Sequence, residues 1–225
     1  MKLFASIFIG VSSANIIDRL TELHNALSNP HSIRNRFARD LSATGFGSLV
    51  NNYGCYCMFT TDTFKTVSGD FSNPVDQYDE ICKIYHESAV CTRYDDPTCE
   101  PLTTPYVTTI NVGNIANSDI EGDCNAQNGE GSCEANICII EQSFLKRFEA
   151  LITVGVLPVP SLYGHAFGYN ATLNCPKVAA GPNIDNDKAC CGDYLTGRKM
   201  YKTFGGAMEC CQSDFSVRTA GSCPN

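Results

Sequence analysis

The sequence predicts a mainly α, disulfide-rich chain with a small β-wing, followed by a small irregular C-terminal disulfide module. Three observations carry this. Fourteen cysteines, an even number, occur in 225 residues, as in a disulfide framework formed in an oxidising compartment rather than a metal or redox set. Two long segments repeat apolar residues at helical spacing. After Leu151 the texture changes: Gly155, Pro158, Pro160, Gly164, Gly168, Gly181 and Pro182 punctuate a run with little periodicity, which places a boundary near residue 155.

Met1-Lys2 gives a short basic start, Leu3 to Val11 an apolar run, and Ser12-Ser13-Ala14 small residues for cleavage before Asn15. Residues 1–14 therefore read as a secretory signal peptide. No later stretch approaches the roughly twenty apolar residues that span a bilayer, so the expected product is secreted and extracellular, with no transmembrane segment. Residues 15–44 comprise an N-terminal helix, marked by Ile16, Leu20, Leu23 and Leu27 and stopped by Pro30, and a connection carrying Arg34, Arg36 and Arg39. Gly45 and Gly47 break the backbone before a cysteine loop.

Within residues 45–154, Val75, Tyr78, Ile81, Cys82 and Tyr85 mark a helix begun by the turn signal Asn73-Pro74. A further helix starts near Cys133-Glu134 and carries Ile137, Ile140, Phe144, Phe148 and Leu151. Between them, Tyr106-Val107-Thr108-Thr109-Ile110, β-branched after its aromatic first residue and flanked by Gly113, suits a short hairpin or β-wing. Residues 155–225 form the cysteine-rich module. Asn170-Ala171-Thr172 is a glycosylation sequon, which in a secreted chain implies an exposed loop.

The formal net charge of −8 argues against nucleic acid or anionic membrane as the main partner, because an acidic surface repels both. Acidic residues are scattered without a run of five like charges, so they read as a solvated surface rather than an ion-binding tail. No Cys-x2-Cys pair is present, which argues against zinc.

Asn51-Asn52-Tyr53-Gly54-Cys55-Tyr56-Cys57 and the helix sequence from Pro74 to His86 resemble the calcium loop and catalytic helix of secreted phospholipase A2. The resemblance covers about residues 45–150 and implies an antiparallel helix pair with a small β-wing. It also implies disulfides Cys57 to Cys82, Cys99 to Cys133 and Cys124 to Cys138. Two further family disulfides fall on Ile81 with Arg147 and on Ser88 with Ile140, so each missing bond has lost both partners.

An enzyme of that family needs a histidine to take a proton from water, a carboxylate to orient it and calcium to stabilise the oxyanion. The resemblance lays the histidine position on Tyr85, the calcium-ligating aspartate on His86 and the orienting carboxylate on Glu141. Tyrosine, ordinarily protonated up to about pH 10, is a poor general base. His86 offers nitrogen where a hard ion takes oxygen. The loop at Tyr56, Met58 and Thr60 lacks the glycines whose carbonyls would cradle calcium. Tyr85, His86 and Glu141 are thus vestigial site positions, and neither catalysis nor a resident metal or cofactor is expected. The reading of Tyr85 with Glu141 is a buried hydroxyl bonded to a carboxylate that holds two helices in register. A one-residue slip, with His86 as base and Glu87 on calcium, keeps an active phospholipase as an alternative. His24, His31 and His165 complete no recognisable triad.

Cys190-Cys191, Cys210-Cys211 and Cys223 resemble the di-cysteine modules of galaxin-like extracellular matrix proteins. Adjacent cysteines do not easily bond each other, so each doublet sends its bonds to different neighbours. With Cys175 the module holds six cysteines, which allow 15 connectivities. Cys55 and Cys91 remain over, with Cys55 bonding Cys91 or reaching into the tail. The expected function is a non-catalytic structural or adhesive component of an extracellular assembly, working through protein partners or self-assembly. A lipid- or receptor-binding module using the former substrate groove is the other alternative.

Overall fold

The computed structural model describes residues 6–11, 52–57, 73–111, 119–156, 158–175 and 187–224. The predicted helix of Ile16 to Leu27, the arginine-bearing connection, and loop residues Met58 and Thr60 lie outside the described residues. Among the described residues the chain is partly helical, with three small two-stranded sheets, and all fourteen cysteines are joined in seven disulfides.

Helix α1 spans Gln77–Asp95 and starts a few residues after the Asn73-Pro74 signal. The reason is its cap: the Asp76 side chain accepts from the amides of Tyr78 and Asp79, each at 2.9 Å, which closes the first turn. After strand β2, Tyr106–Asn111, the short helix α2 spans Ile120–Asn128 and helix α3 spans Cys133–Thr153. Ser132 caps α3, its hydroxyl accepting from the Ala135 amide at 3.0 Å.

The apolar stripes face each other. Tyr78, Ile81, Cys82 and Tyr85 of α1 and Ile137, Ile140, Phe144 and Phe148 of α3 are all buried. Tyr78 packs edge-to-face on Phe148 at 4.8 Å and Tyr85 on Phe144 at 5.5 Å, while the Phe144 and Phe148 rings lie tilted to each other at 5.2 Å. Early residues of α1 thus meet late residues of α3, so the helices run antiparallel. Such aromatic pairs contribute about 0.5–1.5 kcal/mol each beyond area burial.

The β-wing differs from expectation. Strand β2 pairs antiparallel with β1, Ser6–Val11, from Ser6 opposite Asn111 to Val11 opposite Tyr106. Its partner therefore comes from the start of the chain, within the segment read as a signal peptide, and not from a local hairpin. The residue types explain the match: β1 carries Ile7, Phe8, Ile9 and Val11, apolar residues suited to a pleated surface.

The polypeptide beyond α3 forms two bodies of short structure. Helix α4 (Pro160–Tyr163), a 3-10 turn (His165–Phe167) and helix α5 (Ala171–Asn174) make a cap over the Tyr53–Cys57 loop. The Gly54 amide donates to the Tyr163 carbonyl and the His165 amide to the Asn52 carbonyl, both at 3.0 Å. Cys55 is bonded to Cys175. The final module, expected as irregular, is built on two antiparallel ladders: β3 (Lys188–Cys191) with β4 (Lys199–Lys202), and β5 (Met208–Cys210) with β6 (Val217–Thr219). Disulfide crosslinks explain why such short strands hold: Cys191–Cys210 joins the two ladders and Cys211–Cys223 closes the end.

This module docks on the helix pair. Cys190 is bonded to Cys91 of α1. Ser88 accepts from the Arg198 amide at 2.9 Å, and the Arg147 guanidinium donates to the Leu195 carbonyl at 2.8 Å. Arg198 pairs with Asp95 and lies over the Tyr194 ring, whose hydroxyl also donates to Asp95. At Gly197, with φ +103°, an added Cβ would lie 2.5 Å from Ile84 Cγ2, so only glycine permits this approach.

Candidate functional site

Glu141, on the buried face of α3, is fully enclosed. The Tyr85 hydroxyl donates to its Oε1 at 3.3 Å and the Tyr106 hydroxyl to its Oε2 at 2.6 Å. One carboxylate thereby joins α1, α3 and β2. A buried carboxylate is costly without donors, and hydrogen bonds to a charged group are worth about 1.5–3 kcal/mol each. Beside it, Gln142 donates to the Thr108 hydroxyl, so two consecutive polar residues of α3 hold the β-wing. The Tyr85 hydroxyl thus ties α1 to α3 through Glu141.

His86, one residue and about 100° further round the helix, is fully buried, and its ring packs edge-to-face on Tyr56 at 6.4 Å. The structure thus brings Tyr85 to Glu141 and His86 to the cysteine loop. Glu87 follows, with its carboxyl pushed up to about 7 by burial, an effect reduced by Lys83 and Lys199 and added to by Glu80. The Lys83 ammonium lies 5.8 Å from the centre of the Tyr56 ring. Burial, with the charges of Glu87, Asp79 and Glu80, holds the Tyr56 hydroxyl protonated well above the usual phenol range. A hard cation takes several oxygen ligands; an imidazole and a protonated phenol do not fit that donor set.

The loop itself is anchored by Asp79, a residue with no assigned role in the sequence reading. Its fully buried carboxylate accepts from the Cys55 amide at 2.9 and 3.0 Å, the Tyr56 amide at 2.7 Å and the Val75 amide at 3.0 Å. Burial raises its pKa, and these amide bonds partly offset the rise. Gly54 has φ +60°, and a Cβ there would lie 2.5 Å from Asp79 Oδ1. The glycine of Tyr53-Gly54-Cys55 is therefore the available signal: a backbone that approaches something closely. Tyr106 was equally unassigned, because its partner becomes visible only once β2 lies on α3.

Six of the cysteines in residues 45–154 are bonded to one another, Cys57 to Cys82, Cys99 to Cys133 and Cys124 to Cys138, while Cys55 and Cys91 bond Cys175 and Cys190. His165 stacks on Tyr169 at 5.9 Å, with a ring nitrogen 2.8 Å from the Gly54 carbonyl oxygen, so it belongs to the cap over the loop. Asn170 caps α5 from an exposed position, its Oδ1 accepting from the Leu173 amide at 3.2 Å. Among the described residues no group of three His, Cys, Asp or Glu is placed to hold a metal ion, and no helix is long and apolar enough to cross a membrane. The chain matches no family model, no curated protein and no solved structure.

Proposed function

We propose that the chain is a secreted, non-catalytic phospholipase A2-like scaffold carrying a galaxin-like disulfide module, serving as a structural or adhesive component of an extracellular matrix or cell-surface assembly. The carrying observation is the Glu141 carboxylate bridged by the Tyr85 and Tyr106 hydroxyls, a fixed joint between three elements where a hydrolase would need a movable proton. Extensive crosslinking supports a role that endures outside the cell: seven disulfides in one chain resist unfolding by constraining the unfolded state. Its partners on this reading are other extracellular proteins or further copies of itself.

The test is paired. Purified chain is incubated with phosphatidylcholine vesicles and calcium while released fatty acid is titrated, and its sedimentation is followed over a range of concentrations. Release at the buffer rate, with concentration-dependent assembly, is the expected result. Calcium-dependent release that survives Tyr85→Phe but disappears in His86→Ala would replace this reading with a shifted-register phospholipase. A monomer that pellets with vesicles without hydrolysing them would replace it with a lipid-binding module occupying the former substrate groove.

A further inference from the structure

The cap that covers the cysteine loop has an unusual outer surface. Residues 150–176 contain no Asp, Glu, Lys or Arg, and of the nine large exposed hydrophobic residues among the described residues five fall there: Val154, Val159, Leu162, Phe167 and Leu173. Leu162, Phe167 and Leu173 are 61%, 69% and 77% exposed. The cap is pinned from beneath by the Cys55–Cys175 disulfide and by the backbone bonds of Gly54 and His165. Concentrated exposed apolar surface on a charge-free segment marks either something that covers it or a liability to associate.

The sequence supplies a cover at this place. Asn170-Ala171-Thr172 is the one Asn-x-Ser/Thr sequence in the chain, and it stands three residues after Phe167 and three before Leu173. Asn170 and Thr172 are both exposed. The cap of α5 uses Asn170 Oδ1, which glycosylation preserves, since the glycan is carried on Nδ2. We propose that an N-linked glycan on Asn170 is the cover of this apolar patch, shielding Phe167 and Leu173 and keeping this face of the molecule out of association. The donor is a polyisoprenyl diphosphate-linked oligosaccharide met during export. The C1–O bond to diphosphate breaks, the C1–Nδ2 bond forms, Nδ2 loses one proton, and polyisoprenyl diphosphate leaves without any change of oxidation state. Sugar rings suit the site because their C–H faces pack on an aromatic ring while their hydroxyls stay in water. The proposal rests on the reading of the chain as secreted but not on its scaffold role, since a secreted hydrolase would carry the same patch.

The test uses the full chain secreted from a eukaryotic cell line, with Asn170→Gln and Thr172→Ala as variants; the latter removes the sequon and leaves the Asn170 cap in place. The parent should lose the mass of one glycan on treatment with peptide N-glycosidase, and the variants should not change. Glycan-free protein should show a several-fold rise in fluorescence of an apolar dye and faster sedimentation, and Phe167→Ser with Leu173→Ser in the Thr172→Ala chain should reverse both. A parent of unglycosylated mass overturns the proposal, as does a glycan-free protein whose dye binding and sedimentation match the parent. Binding of the glycosylated parent to neutral phosphatidylcholine vesicles through Phe167 and Leu173 also overturns it, with lipid as the occupant.

Discussion

Both oxygens of Glu141 accept a hydrogen bond from a phenol, and the two bonds differ: 2.6 Å from Tyr106 against 3.3 Å from Tyr85. Hydrogen bonds weaken with length, so the residues should not be equivalent under mutation. Tyr106→Phe is expected to cost about 1–3 kcal/mol by withdrawing the shorter donor from a buried carboxylate, and Tyr85→Phe less. Denaturant midpoints of the two variants check this, and a larger loss at Tyr85 would assign the main support of Glu141 to α1 instead of β2. A second residue-scale joint lies at Gly54 and Asp79. Gly54→Ala must accept a left-handed backbone and a Cβ 2.5 Å from Asp79 Oδ1. Gly168, left-handed at φ +95°, has nothing within 4 Å of its added Cβ. Gly168→Ala should therefore show only the backbone cost of about 1–2 kcal/mol, and Gly54→Ala visibly more, with melting temperature as the readout. Equal losses would mean that the Asp79 cradle moves aside freely.

At the scale of elements, α1 carries a pH dependence through Glu87. Its carboxyl is raised from an ordinary 4.5 to about 7, so the folded chain holds the proton more tightly than the unfolded one. The associated stability is fully present below about pH 4.5 and is lost as pH rises through about 7. Glu87→Gln removes that loss, so the variant should gain melting temperature relative to the parent between pH 4.5 and 8. Parallel curves across that window would show that Glu87 ionises in the fold as readily as in water. The long helices were legible because helical periodicity writes their buried faces into the sequence: Tyr78, Ile81 and Tyr85 against Ile137, Phe144 and Phe148. The β1–β2 pair was not, since strand pairing is non-local and Tyr106–Asn111 finds its partner at the other end of the first half of the chain. Asp79 was missed for a related reason. A polar residue in an amphipathic helix reads as surface until a preceding loop folds back to offer it three amides. The Tyr85–Glu141 contact was legible as a hydroxyl on a carboxylate; its third member, Tyr106, depended on the strand.

For the whole molecule, the decisive arrangement is how the C-terminal module sits on the helix pair. On the proposed phospholipase A2-like reading, two helix staples of that family would fall on Ile81 with Arg147 and on Ser88 with Ile140. Ser88 and Arg147 hold the module, through the Arg198 amide and the Leu195 carbonyl. Cys91–Cys190 fastens the same face covalently, Gly197 lies against Ile84, and Asp95 receives both Arg198 and Tyr194. A module bound through so many points of α1 acts as an external brace on the helices rather than as an appendage on a tether. Replacing Cys91 and Cys190 together by serine tests this. Losing a native disulfide from a small secreted domain costs about 2–5 kcal/mol, and if the module braces the helices that loss should appear in the unfolding midpoint of α1 and α3. Site-resolved hydrogen exchange is the measurement, with amides of α1 near Ser88 and Ala89 read alongside those of β3 and β4. Faster exchange in both regions is the expected outcome. Exchange that rises in β3 and β4 alone, with α1 unchanged, would show two independent bodies joined by a clip, leaving the helix pair to depend on the aromatic contacts of Tyr78, Tyr85, Phe144 and Phe148.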